Sequence, residues 1–140
     1  MISKEYLKTL ASYQNEKGFL LTASLSTSRL DDWRQTVPTF LNSEFGRIMR
    51  ERNPSKEHKK TLEEDFQRVL DVLNYEVDRR TQGLVVIADG SQGIFERVPL
   101  PLRLKNRLIV EPHPYIRPLV HALAVMEPFL VVRVSRDDSS

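Results

Sequence analysis

The chain has no cysteine, so neither a disulfide framework nor a thiolate metal site can be built from it. That suits a reducing cytoplasm, which is the location expected. No apolar run approaches the roughly 20 residues needed to span a bilayer. The opening MISKEYLKTL is too polar to read as a signal peptide. Excess charge is missing too: 21 basic residues face 19 acidic ones, for a net +2. Global electrostatics therefore gives no argument for nucleic acid, and what matters is where the charges sit. There is no Gly-x-Ser-x-Gly elbow, no HExxH pair and no phosphate-binding loop followed by lysine. His58, His113 and His121 lack metal-ligand spacing, so no metal and no cofactor are expected. Neither an internal repeat nor a low-complexity linker is present.

What remains is 140 residues of ordinary globular composition, enough for one domain with a real core. Residues 3–14 read as a short first helix, and 18–26, GFLLTASLS, as a buried strand. Residues 27–35, with the lone Trp33, read as a polar loop. Pro38 suits an early helix position. Val37, Leu41, Phe45 and Ile48 then recur at helical spacing. Asn53-Pro54-Ser55 punctuates the run, with Asn53 as cap and Pro54 as first residue of a second, longer helix. Its stripe is Leu62, Phe66, Val69, Leu70, Leu73 and Val77, and Gly83 ends it.

The period then changes. LVVIAD (84–89) is a continuous apolar run of central-strand type, followed by turn chemistry at Asp89-Gly90 and Gly93. Residues 94–98 and 107–110 are the next strands, and Pro99 and Pro101 make their connection an edge or a wide loop. A helix begins near Pro114 or Pro118, and 129–134 is a last strand before a polar, mobile tail at 135–140. The expected fold is a single α/β domain over residues 1–140, with a mixed sheet of four or five strands and the two middle helices packed on one face.

The strand GLVVIADG, the segment IFERVPLPLRLKNRLIVEPHPYIRPLV (94–120) and the strand FLVVRVSRD together resemble the N-terminal domain of the bacterial branch of the archaeo-eukaryotic release factor family. The resemblance covers roughly residues 18–136. It implies a ribosome-associated translation factor whose full members carry three domains, the second with a Gly-Gly-Gln loop for peptide release. No Gly-Gly-Gln occurs here, so a non-enzymatic role is expected, in keeping with one domain of a longer protein. Release factors proper read stop codons with Asn-Ile-Lys-Ser at the elbow between two helices. This chain has Asn53-Pro54-Ser55-Lys56 there, with a different order and proline for isoleucine. Stop-codon reading is therefore not carried over, and only proximity to RNA is expected.

Two basic stretches are candidate RNA contacts. At the elbow, Arg50, Arg52, Asn53, Lys56, His58, Lys59 and Lys60 could displace counterions from phosphate, with His58 adding a stacking surface. Arg47 belongs to the same run. Arginines at a helix C-terminus also complement its dipole with no ligand at all. The second stretch is Arg103, Lys105, Arg107, Tyr115 and Arg117, where a tyrosine among cations could stack a base. Edge-strand cations equally guard against aberrant pairing. The RNA reading gains if both stretches share one face. Glu63-Glu64-Asp65 reads as a solvated helix face rather than paired catalytic carboxylates. Partners expected are the ribosome or ribosomal RNA, with self-association or a protein-interaction role as the alternative, and neither membrane nor small-molecule substrate.

Overall fold

A computed structural model describes residues 2–75 and 77–126. The predicted last strand (129–134) and tail lie outside the described residues. Among the described residues, four α-helices and four strands follow one another: α1 (Lys4–Ala11), β1 (Leu20–Ser26), α2 (Trp33–Arg52), α3 (Lys56–Tyr75), β2 (Gly83–Asp89), β3 (Ile94–Leu100), β4 (Arg107–Glu111) and α4 (117–126). The α/β class holds. The sheet order is β3-β2-β1-β4, and all three pairings are antiparallel, so the expected mixed sheet is antiparallel across the described strands.

Every residue of β1 and β2 is buried, as continuous apolar runs require when both sheet faces are covered. Alternation sorts their side chains. Leu21, Ala23, Leu25, Leu84, Val86, Leu108 and Val110 face α2 and α3, where they meet Val37, Leu41, Ile48, Phe66 and Val69. Leu20, Val85, Ile87, Val98 and Leu100 face the other way, toward Leu7 and Leu10 of α1 and Leu119 and Ala122 of α4. Burial of each Leu, Val, Ile or Phe among them contributes about 1.5–3 kcal/mol. Phe45 and Phe66 stack at 4.2 Å with rings 4° from parallel and tie α2 to α3.

Several predicted boundaries move, each for a local reason. The loop expected over 27–35 is shorter: Ser28 caps a 3-10 turn at Arg29–Asp31, and α2 begins at Trp33, which is buried. Pro38 therefore sits inside α2 rather than near its start. Asn53 does not cap α3. It ends α2 in the left-handed region (φ 42°), its N–H bonded to the Met49 carbonyl at 2.9 Å. Asparagine serves either role, which is why the sequence reads both ways. Ser55 opens α3 instead: its carbonyl accepts from Lys59 N–H at 2.8 Å and its hydroxyl from His58 N–H at 3.5 Å. α3 stops at Tyr75, and Gly83 begins β2 rather than ending the helix. Pro99 lies in β3, an outer strand, where a missing donor is tolerated.

The antiparallel register gives the sheet two distinct ends. Leu20, Glu111, Asp89 and Ile94 mark one, joined by the α2–α3 elbow. Ser26, Gly83, Leu100 and Arg107 mark the other. Strands of seven residues separate the two by about 20 Å.

Candidate nucleic-acid interface

The elbow is rigidly mounted. Arg52, the last residue of α2, donates from one guanidinium nitrogen to the Val110 carbonyl at 2.7 Å and from another to the Gly18 carbonyl at 2.9 Å. Its guanidinium lies 4.8 Å from the centre of the Phe19 ring. Phe19 also stacks on His58, centroids 4.6 Å apart. Gly18 has φ 81°, and a Cβ there would come within 3.0 Å of the Arg52 guanidinium. The His58 ring is further held by Ser55, with Oγ and Nδ1 2.8 Å apart. Arg52, Phe19 and His58 thus form one continuous stack that ties α2, the approach to β1, β4 and α3 together.

The candidate elbow residues divide by this geometry. Arg52 and His58 are the mount. Arg50, Asn53, Lys56, Lys59 and Lys60 are exposed, and the four cations among them pair with no described carboxylate. Arg47 differs: it pairs with Glu44 and Glu51, each at 2.8 Å, and those carboxylates hold its guanidinium above its ordinary pKa. Arg47 also holds the Glu44 carboxyl below its usual range.

The second stretch does not join the elbow. Arg103, Lys105 and Arg107 lie at the opposite end of the sheet. Arg103 is bidentate on Asp31, and that contact, with a further hydrogen bond from Ser26, keeps the Asp31 carboxyl below its ordinary pKa. Tyr115 crosses the α1/α4 face, its N–H on Thr22 Oγ1 at 3.1 Å, and Arg117 is exposed at the start of α4. The twelve candidates therefore fall into three separate groups rather than one face.

Sequence reasoning also missed a polar cleft of about 450 Å³ beside the elbow. It is bounded by Asn15, Lys17, His58, Thr61, Ser91 and Gln92. Two buried carboxylates hold its walls together. Asp89 accepts from Asn15 Nδ2 at 2.8 Å, from Gln92 Nε2 at 2.6 Å, and from the backbone and hydroxyl of Ser91. Burial alone would raise its pKa, but the hydrogen bonds from Ser91, Asn15 and Gln92 hold it below the ordinary value. Asp65 receives the Gly90 N–H on both oxygens, at 3.0 and 3.1 Å. Burial pushes Asp65 up to about 6, the Gly90 N–H works against that, and the negative Asp89 adds to it. The solvated-face reading of Asp65 is thus corrected: it is 1% exposed. A signal was present, since Leu62, Asp65, Phe66 and Val69 share one helical face. Neither carboxylate lines the cleft, so the pair staples α3 and the 13–17 segment to the turn after β2.

These features define an antiparallel α/β domain with helices on both sheet faces and a cationic elbow at one end. No family model matches the chain, and no curated protein matches it. A solved structure described as an archaeal protein is similar in fold, with a TM-score of 0.59 and 19% identity over 84% of this chain. The chain spans about a third of that protein's length, 33%. Similarity at this level establishes the shared fold. No helix among the described residues is long and apolar enough to cross a membrane.

Proposed function

We propose that this is a non-catalytic, ribosome- or RNA-binding domain of a release-factor-like translation protein, working in the cytoplasm and docking through the α2–α3 elbow. The observation that carries the reading is the mounting of that elbow: Arg50, Lys56, Lys59 and Lys60 stand exposed without described carboxylate partners on a bend locked by Arg52, Phe19 and His58. Binding to cations carried on a locked bend costs less ordering entropy than binding to a bend that must first be fixed. The resemblance of residues 18–136 to the release factor N-terminal domain supplies the ribosomal context. The 33% coverage of the longer archaeal neighbour accords with one domain of a larger protein.

Co-sedimentation with ribosomes across a salt series tests the proposal. Wild type pellets at low salt and is released as salt rises, whereas Lys56→Gln/Lys59→Gln/Lys60→Gln stays in the supernatant. Equal pelleting of the two at every salt concentration overturns it. A protein-interaction role is the second reading, supported by Val120 and Val125 of α4, which are 50% and 41% exposed. It predicts concentration-dependent self-association that Val120→Ser/Val125→Ser abolishes in sizing experiments.

A further inference from the structure

Among the described residues, the largest collection of unpaired cations is not at the elbow but at the other end of the sheet, and no single stretch of sequence holds it. Three connections converge there. Thr27 N–H bonds to the Gln82 carbonyl at 3.0 Å, Gln82 N–H to the Leu100 carbonyl at 2.8 Å, and Ser26 N–H to Asn106 Oδ1 at 2.8 Å. This stitching brings Arg29 from the first connection and Arg34 from the first turn of α2 beside Arg79 and Arg80 from the second connection, with Lys105 from the third and Arg107 at the start of β4. All six are exposed, and none pairs with a described carboxylate. The described acids nearby are Asp31, already neutralised by Arg103, and Asp32 and Asp78.

The surface is concave. One cleft of about 380 Å³ is lined by Arg29, Arg34 and Arg79, and a second of about 490 Å³ contains Lys105. Arg34 is laid over the Trp33 ring at 4.7 Å, which fixes its plane. Trp33 itself is only 6% exposed, so it offers no face to a base.

The geometry points to a second RNA contact at this loop end, one that grips the phosphodiester backbone. Five of the six cations are arginines, and the planar guanidinium fork matches two phosphate oxygens at once. A phosphodiester chain can enter clefts that a flat lipid surface cannot reach. Tyr75, which ends α3 just before the second connection, is 83% exposed and leaves a ring open to a base there. The inference extends the proposed function but does not depend on the elbow, because the two ends lie about 20 Å apart and can be disabled separately.

The experiment compares two variants of equal charge loss. The loop-end variant is Arg29→Gln/Arg79→Gln/Arg80→Gln/Lys105→Gln, and the elbow variant is Arg50→Gln/Lys56→Gln/Lys59→Gln/Lys60→Gln. Binding of a labelled single-stranded uridine oligonucleotide of about 20 nucleotides is followed by anisotropy from about 50 to 200 mM salt. Loss of tenfold or more in affinity by the loop-end variant at low salt is expected. The slope of log K against log salt should fall by roughly 0.7 for each phosphate contact removed. Arg29→Lys/Arg79→Lys/Arg80→Lys guards against a folding artefact: it should keep the wild-type slope with weaker binding. Loop-end loss with elbow binding intact supports the inference while sinking elbow docking, and loss in both supports both. Loss in the elbow variant alone overturns the inference and leaves the proposed function standing. Tighter binding to polyglutamate or to anionic phospholipid vesicles than to RNA, lost in the same loop-end variant, also overturns it, as does wild type that ignores RNA at low salt.

Discussion

The two ends of the sheet carry similar numbers of cations and use them differently. At the elbow they come from one short stretch, residues 47–60, and share it with acids: Arg47 is committed to Glu44 and Glu51, and Glu57 stands among the lysines. At the loop end they come from three connections and the elements that flank them, and among the described residues only Arg103 is committed to a carboxylate. Charges adjacent in sequence are held near one another in the unfolded chain as well, so compensating acids between them limit repulsion in every state. Charges brought together only by the fold meet only in the folded state. Leaving such a cluster without direct ion pairs costs stability through self-repulsion that Asp32 and Asp78 only partly offset, which is more readily understood if the surface binds something.

The largest expected effect tests whether the loop end is built as firmly as the elbow. A Cβ on Gly83 would run into the Leu102 carbonyl and lie 2.6 Å from the Leu104 side chain, so backbone must move. Gly83→Ala should cost about 3 kcal/mol, at the upper end of overpacking effects, read as a lower urea midpoint. The displaced 101–106 connection should also weaken the salt dependence of RNA binding, whereas a variant at the elbow leaves this connection in place.

Next comes Asp65, under the elbow end. Its folded pKa of about 6 exceeds the ordinary 3.8, so the folded state takes up a proton before the unfolded chain does. Its contribution to stability is therefore fully present below about pH 4 and is lost as pH rises through 6. The difference is on the order of 2 kcal/mol between pH 4 and 7. Asp89 has the opposite sign, since its lowered pKa gives stability that is lost only as pH falls below the ordinary carboxylate range. Urea unfolding of Asp65→Asn at the two pH values should show this dependence flattened. An unchanged profile would mean that Asp65 is not the titrating group.

Arg52→Ala separates mount from contact. It strands the Val110 and Gly18 carbonyls and removes the cation over Phe19. A loss of about 1–2 kcal/mol is expected from the hydrogen bonds, while Lys56→Ala, Lys59→Ala and Lys60→Ala should leave the urea midpoint nearly unchanged. Equal destabilisation by all four would mean that the elbow lysines are structural too.

How far the sequence carried this picture depends on how local each feature is. Continuous apolar runs located β1 and β2 closely, and the stripe Leu62, Phe66, Val69 and Leu73 located the buried face of α3. The elbow was legible as a charge run because its cations are neighbours in sequence. The antiparallel order was not, because it depends on pairings between residues such as Leu21 and Ala88 that lie far apart in the chain. The loop-end cluster was invisible for the same reason, and Arg103, Lys105 and Arg107 were assigned to an RNA surface that the fold splits from the elbow by the length of a strand.

The smallest effect on stability sharpens the comparison most. Glu44→Gln/Glu51→Gln releases Arg47 and turns the elbow toward the uncompensated condition of the loop end. Both pairs are on the surface of one helix, and such pairs seldom stabilise measurably, so the unfolding curve should not move beyond its error. RNA binding should nevertheless change, because a fifth cation joins Arg50, Lys56, Lys59 and Lys60 and repulsion from two carboxylates disappears. The salt slope should steepen by roughly 0.7 if the freed guanidinium reaches a phosphate. Affinity that rises without loss of stability would show that the acids of the elbow tune its binding rather than hold its fold. An unchanged slope would place the RNA path away from this side of α2 and leave the loop end as the main electrostatic contact.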